Sequence, residues 1–142
     1  MSFIYVASPY SHDDRTIVNA RHHLVLHYTT QLFQHKKLAF SPIVHCHPIA
    51  QHGGLPGDFQ FWEQYNRAMI GSCDMMHVLE LPGWEMSKGV SSEIKIAKFD
   101  YIPIEHITYK DLANFIHKPQ EGDEPEHYPT WEAYKLLAGT TE

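Results

Sequence analysis

The stretch Met75-Met76-His77-Val78-Leu79-Glu80-Leu81-Pro82-Gly83-Trp84-Glu85-Met86-Ser87-Lys88-Gly89-Val90-Ser91-Ser92-Glu93-Ile94 decides the fold. Its first seven residues are short and apolar enough for a buried parallel strand. Proline and glycine then mark a turn, and Val90, Ile94 and Ala97 recur at helical spacing as far as Phe99. In open α/β sheets ligands bind outside the carboxyl ends of the strands, so Glu93, following such an end, can face a cleft. At a helix start the macrodipole alone would also favour a glutamate.

Upstream, Phe3 to Ala7 reads as a first buried strand, and Ser8-Pro9-Tyr10-Ser11-His12-Asp13 supplies turn residues and a helix N-cap. Ile17, Ala20, Leu24, Leu26, Tyr28, Leu32 and Phe33 give the next helix its apolar face as far as His35. Leu38 to Phe40 is a short strand stopped by Pro42. A β-α-β start of this kind implies a parallel sheet. Residues 43–57, with two further prolines, three glycines and three histidines, read as a long functional loop at the rim of the site. Asp58 caps a helix through Phe61, Trp62, Tyr65, Met69 and Ile70, and Ser72-Cys73-Asp74 turns into the strand quoted above. Residues 101–104 form a fourth strand, near an edge because of Pro103. The expected fold class is α/β: a single Rossmann-like domain with a mostly parallel sheet of four or five strands and helices on both faces. It spans residues 1–118. Residues 119–142, acidic and proline-bearing at first and then helical over 131–137, form an extension packing on the domain or on a neighbouring subunit.

A length of 142 residues fits one such domain. The net charge of −6, with no basic run, gives no footprint for duplex nucleic acid, although a small anion needs only local donors. Cys46 and Cys73 show no C-x-x-C spacing and read as buried, reduced thiols, which points to the cytoplasm. No signal peptide and no run of eighteen apolar residues is apparent, so neither export nor a membrane is expected.

Ile4-Tyr5-Val6-Ala7-Ser8-Pro9-Tyr10, Tyr65-Asn66-Arg67-Ala68-Met69 with Cys73-Asp74, and Ser87 and Gly89 ahead of Glu93 together resemble the nucleoside 2-deoxyribosyltransferase-like superfamily. The resemblance covers roughly residues 3–105. Within that group the chain is most similar to the small nucleotide N-glycosidases, the 2′-deoxynucleoside 5′-phosphate N-hydrolases and CMP hydrolases. It implies a Glu93 nucleophile that attacks the anomeric carbon, expels the base and forms a glycosyl ester for water to hydrolyse. A carboxylate suits an oxocarbenium-like transition state, and the ester divides one difficult displacement into two easier steps.

The same resemblance makes Tyr5 the partner that orients Glu93 and Ser87 a phosphate-binding serine in place of the transferases' base-binding aspartate. It gives Asn66 a sugar or base contact where many relatives keep an aspartate, and it implies no cofactor and a homodimer or larger oligomer. Read as residues alone, Tyr5 can equally be packed core. Ser8, Ser11 and Arg15 lie between a strand and a helix N-terminus, where free backbone N–H groups favour an anion, but the serines can also serve only as caps. An amide at 66 donates and accepts without acting as a general base. Asp74, Glu80 and Glu85 are weaker carboxylate candidates, with a turn role favoured for Asp74.

Other readings compete with the hydrolase. A nucleotide sensor on the same fold would use Glu93 only to contact ribose, and a transferase would pass the sugar to a second base. A metal-dependent hydrolase would use His45, His47 and His52, because an H-x-H pair on an extended segment points both rings to one side. Against that, His45 and His47 follow the second strand at its carboxyl end, where they can contact the base. Trp62 and Tyr65, three apart on a helix, can stack on a base or pack as core. Trp84, in the turn, suits a ligand or a subunit contact, and Tyr128 and Trp131 suit an interface.

Overall fold

In the computed structural model, residues 2–116, 118, 120–122 and 128–139 are described. Four strands, β1 (Phe3–Ala7), β2 (Leu38–Phe40), β3 (Met75–Leu79) and β4 (Ile104–Ile107), form one parallel sheet in the order β2-β1-β3-β4. The expected α/β class is therefore the observed one. Side chains alternate between the faces of the sheet, as the two-residue period of a strand requires. Tyr5, Ala7, Met76 and Val78 enter one buried cluster, whereas Ile4, Val6 and Leu79 enter the other.

The second of these clusters lies under α1 (Arg15–Gln34), whose Leu24, Val25 and Tyr28 are almost fully buried. Its apolar face is not the one expected throughout, since Leu26 is 39% and Phe33 53% exposed, while Val25 is buried. Leu112 of α5 (Tyr109–Leu112), followed by a 3-10 turn (Ala113–Phe115), joins this cluster. So do Ala133 and Leu137 of α6 (Tyr128–Ala138), so the extension's helix packs on its own domain. Trp131 stacks on Tyr134 beneath the Lys118 ammonium. The Tyr128 side chain and most of residues 119–127 lie outside the described residues.

The opposite face is covered by α3 (Phe59–Gly71) and α4 (Lys88–Phe99), through Ile70, Val90, Ile96 and Ala97. Asp58 caps α3 as expected, accepting from the Phe61 amide. The cap of α1 is Asp14, not a residue of the loop before it. Residues 101–104 are not the fourth strand. Tyr101, at φ 58°, and Ile102 close the end of α4, with the Ile102 amide bonded to the Ala97 carbonyl at 2.8 Å, and pairing begins only at Ile104.

The largest departure is the expected loop over 43–57, most of which is α2 (Pro42–Gly53). Ser41 caps it, Pro42 opens its first turn, where a missing N–H costs nothing, and Gly54 at φ 64° ends it. The serine, proline and glycine that looked like loop punctuation are start and stop signals. Cys46, His47 and Ala50, spaced for one helical face, are buried. Among the described residues no helix is long and apolar enough to cross a membrane. Cys46 and Cys73 are free and buried.

Candidate active site

At the carboxyl ends of β1 and β3 the two loops, α2, the start of α3 and the start of α4 enclose a cavity of about 1100 Å³. Ser87 caps α4, its Oγ accepting from the Val90 amide at 3.2 Å. Glu93 therefore sits in the second turn, beyond the reach of the helix-start dipole effect, and is only 4% exposed. It lines the cavity with Ser8, Ser11, Asn66, Ser87 and Gly89.

The Tyr5 hydroxyl donates to Glu93 Oε2 at 2.5 Å, so two groups 88 positions apart meet at the cavity wall. Burial pushes the Glu93 carboxyl up to about 8, and the Tyr5 hydrogen bond pulls the other way. The same burial, reinforced by the neighbouring carboxylate, holds the Tyr5 hydroxyl protonated well beyond the ordinary phenol range. Tyr5 is thus core by burial and a site residue by its one polar contact. Two buried polar atoms of the cavity-lining residues have no hydrogen-bond partner among the described residues, the Ser8 hydroxyl and the Asn66 Oδ1. Both residues line the cavity, and buried polar groups without partners are costly unless something else satisfies them. A ligand with hydroxyl or phosphate groups would do so.

The serines divide by role. Ser11 donates to the Gly57 carbonyl at 3.0 Å, tying the β1–α1 loop to the α2–α3 connection. Ser87 is a cap that also faces the cavity, and Ser8 is no cap. Arg15 is exposed and lines a neighbouring cavity of about 680 Å³ that shares Tyr10, Ser11, Ala50, Gly57 and Asp58 with the first. It is not brought to Glu93. Met86, 83% exposed, stands on the rim of the main cavity.

Because α2 is helical, the H-x-H geometry fails. Residues two apart on a helix point to nearly opposite sides. His45 stacks on Tyr65 at 5.7 Å and is exposed outside the cavity wall, so it is not brought to Glu93 as a base contact would require. His47 is buried, lines the cavity, stacks on His22 at 4.0 Å and is hydrogen-bonded to the Tyr10 hydroxyl. His52 is exposed in the last turn. Among the described residues no group of three or more His, Cys, Asp or Glu could hold a metal ion.

Trp62 lines the cavity and donates its indole N–H to the Pro56 carbonyl, whereas Tyr65 packs outside on His45 and Phe40. Trp84, in a 3-10 turn (Trp84–Met86), turns away to His106 and the core. Glu80 pairs with His106 at 3.0 Å outside the cavity wall, and Glu85 is exposed on its rim. Asp74 accepts from the Phe3 amide, a turn role at the amino end of the sheet.

Two contributors escaped the sequence reading. Tyr10 lines both cavities from a loop with no period to betray it. Arg21 lies on the buried face of α1 between Ala20 and Leu24, where a lone cation among apolar residues was the available signal. A family profile described as a domain of unknown function (DUF1937) matches residues 2–107. No curated protein matches the chain.

Proposed function

The chain belongs to the DUF1937 family, whose description assigns no activity, and we propose from its site that it hydrolyses the N-glycosidic bond of a nucleoside or deoxynucleoside 5′-monophosphate. The observation that carries this reading is the Tyr5–Glu93 hydrogen bond in the wall of a cavity large enough for a nucleotide. Glu93 in its ionised form attacks the anomeric carbon opposite the base. The new C–O bond forms as the C–N bond breaks, and the electron pair leaves with the base nitrogen. Tyr5 holds the attacking carboxylate in one orientation. Water then cleaves the ester, giving sugar phosphate and restoring Glu93. Ser8, Ser87 and the N-terminus of α4 at Gly89 receive the phosphate, and the Asn66 amide takes a sugar hydroxyl or base edge. Both cysteines being free, we assign the enzyme to a reducing, cytoplasmic environment.

One observation favours a second reading. With its carboxyl pushed up to about 8, Glu93 is largely protonated at neutral pH and can donate to a ribose hydroxyl without breaking a bond, as a sensor would require. Chromatography for free base after incubation with a panel of ribo- and deoxyribonucleoside monophosphates separates the two. The hydrolase reading expects base from wild type and none from Glu93→Ala or Glu93→Gln. Nucleotide binding by wild type that Glu93→Ala weakens, with no base released by any of the three proteins, leaves the sensor.

A further inference from the structure

We infer that Arg21 is the buried counter-charge of the anion site, a positioning residue that makes the β1–α1 and β3–α4 loops selective for a phosphorylated sugar carrying two negative charges. This rests on the site proposed above and adds to it the residue that discriminates phosphate by charge. Arg21 is 7% exposed, and among the described residues no carboxylate pairs with it. Its Nη1 donates to the Ser11 carbonyl at 2.8 Å and the Tyr10 carbonyl at 3.3 Å, and its Nη2 to the Pro82 carbonyl at 3.2 Å. Nε has no partner. One guanidinium thus clamps both loops from beneath.

Two consequences follow from elementary geometry and electrostatics. In a trans peptide the N–H points opposite to the C=O. Drawing the carbonyls of Tyr10, Ser11 and Pro82 toward Arg21 therefore turns the amides of Ser11, His12 and Gly83 away from it, and these three amides donate in none of the backbone bonds of the turns and caps. Outward amides over a buried cation are the arrangement an anion requires. Secondly, a guanidinium stays charged, and a buried charge without a counter-ion is unfavourable. Burial lowers its proton affinity and, among the described residues, no carboxylate offsets this; the carbonyls of Tyr10, Ser11 and Pro82 carry only partial charge, and an anion taken up at the loops completes the counter-charge. Tyr10 and Ser11 line the cavity that holds Ser8, Ser87 and Glu93, so an anion taken up there meets the clamped loop directly.

The test is calorimetric binding of ribose 5-phosphate and 2-deoxyribose 5-phosphate to wild type, Arg21→Gln and Arg21→Lys, each first checked for folding by circular dichroism. Arg21→Gln is expected to weaken binding by about tenfold or more, with Arg21→Lys between it and wild type. Wild-type affinity is expected to rise between pH 5 and 7 as the phosphate loses its second proton near about 6, and Arg21→Gln to flatten that rise. His12, Asp13 and Arg15 from the first loop and α1, His47 from α2, Asp58 and Glu63 at α3, and Glu85, Lys88, Glu93 and Lys95 at α4 face the same cavities in both proteins, so their charge and titration are common to the comparison. A loop that had merely collapsed would lose both charge states of the ligand alike. Because the charge is buried, the wild-type affinity should fall only a few-fold between about 0.05 and 0.5 M salt.

A folded Arg21→Gln that binds within about twofold of wild type overturns the inference, as does an unchanged pH slope. If Arg21→Gln does not fold, a wild-type affinity that collapses with salt as an exposed site would, or a wild type that binds neither sugar phosphate, overturns it. Binding with these signatures but without base release from any monophosphate removes the hydrolase and leaves the Arg21 assignment in place. Base release with binding indifferent to Arg21 does the reverse.

Discussion

The Tyr5 hydroxyl and the Glu93 carboxylate are joined at 2.5 Å, one from the middle of the first strand and the other from the second turn of α4. Desolvation raises the Glu93 carboxyl to about 8, and the Tyr5 hydrogen bond is the influence that opposes it. Removing the hydroxyl must therefore raise it further. On the proposed reaction Glu93 attacks as its anion, so the rate of base release is expected to rise with pH through this value. Tyr5→Phe is expected to shift that rise to higher pH and to lower the rate at pH 7 by about 10- to 100-fold, in keeping with a hydrogen bond to a charged group. The pH–rate profiles of the two proteins measure this, and coincident profiles would remove Tyr5 from the mechanism.

Glu93 also ties stability to pH. Its folded value near 8 lies above the ordinary 4.5, so the folded state binds the proton more tightly than the unfolded state. Stability from this group is complete below about 4.5 and declines as pH rises toward 8, by up to about 1.4 kcal/mol per pH unit. Glu93→Gln has no proton to lose. Its melting temperature, relative to wild type, is expected to climb from pH 5 to 8 and to level off above that. A difference independent of pH would mean that Glu93 is ionised in the folded protein throughout.

His22 works in the opposite sense. Burial, with the adjacent His47 and His23, lowers it to about 4, and it stacks on His47 at 4.0 Å. A folded value below the unfolded 6.5 means that the unfolded chain takes up the proton first. Stability is then lost as pH falls from about 6.5 through about 4. His22→Phe keeps a ring against His47 without a titrating nitrogen, so its loss of stability across that window should be shallower in urea titrations. An unchanged slope would place the acid sensitivity elsewhere, for example in His23 or His77, which are also shifted down.

Much of the fold was legible because its signals are local. The apolar runs at Phe3–Ala7 and Met75–Leu79 and the cap at Asp58 need only neighbouring residues to be read. The strand-end rule likewise brings Glu93 and Ser8 to one cleft, which Ser87, expected there from the family resemblance, also lines. What misled the reading was punctuation with two meanings. Ser41-Pro42 and Gly53-Gly54 bound a helix as well as they bound a loop, and the choice depends on Cys46, His47 and Ala50 finding a core to face. His45 was lost with that choice, since a helix turns it outward while an extended chain would not. Arg15 and Arg21 show the other limit. Both lie on α1 near the loop, but one opens into solvent and the other beneath two loops, a difference set by the rotation of the helix against the sheet.

Gly83 is where the Arg21 clamp meets the backbone. At φ 92° it lies in the region that L side chains rarely adopt, and a Cβ there would stand 2.8 Å from Arg21 Nη2. Gly83→Ala thus combines backbone strain of about 1–3 kcal/mol with a collision against a side chain held by three carbonyls. The two costs are separable. In an Arg21→Gln background the shorter side chain removes the collision and leaves the strain, so Gly83→Ala should cost less there than in wild type. A double-mutant cycle by urea unfolding reads the difference, with an interaction of about 0.5–3 kcal/mol expected for residues in contact. Strict additivity would mean that Arg21 moves aside freely, and that the two loops are not held by it.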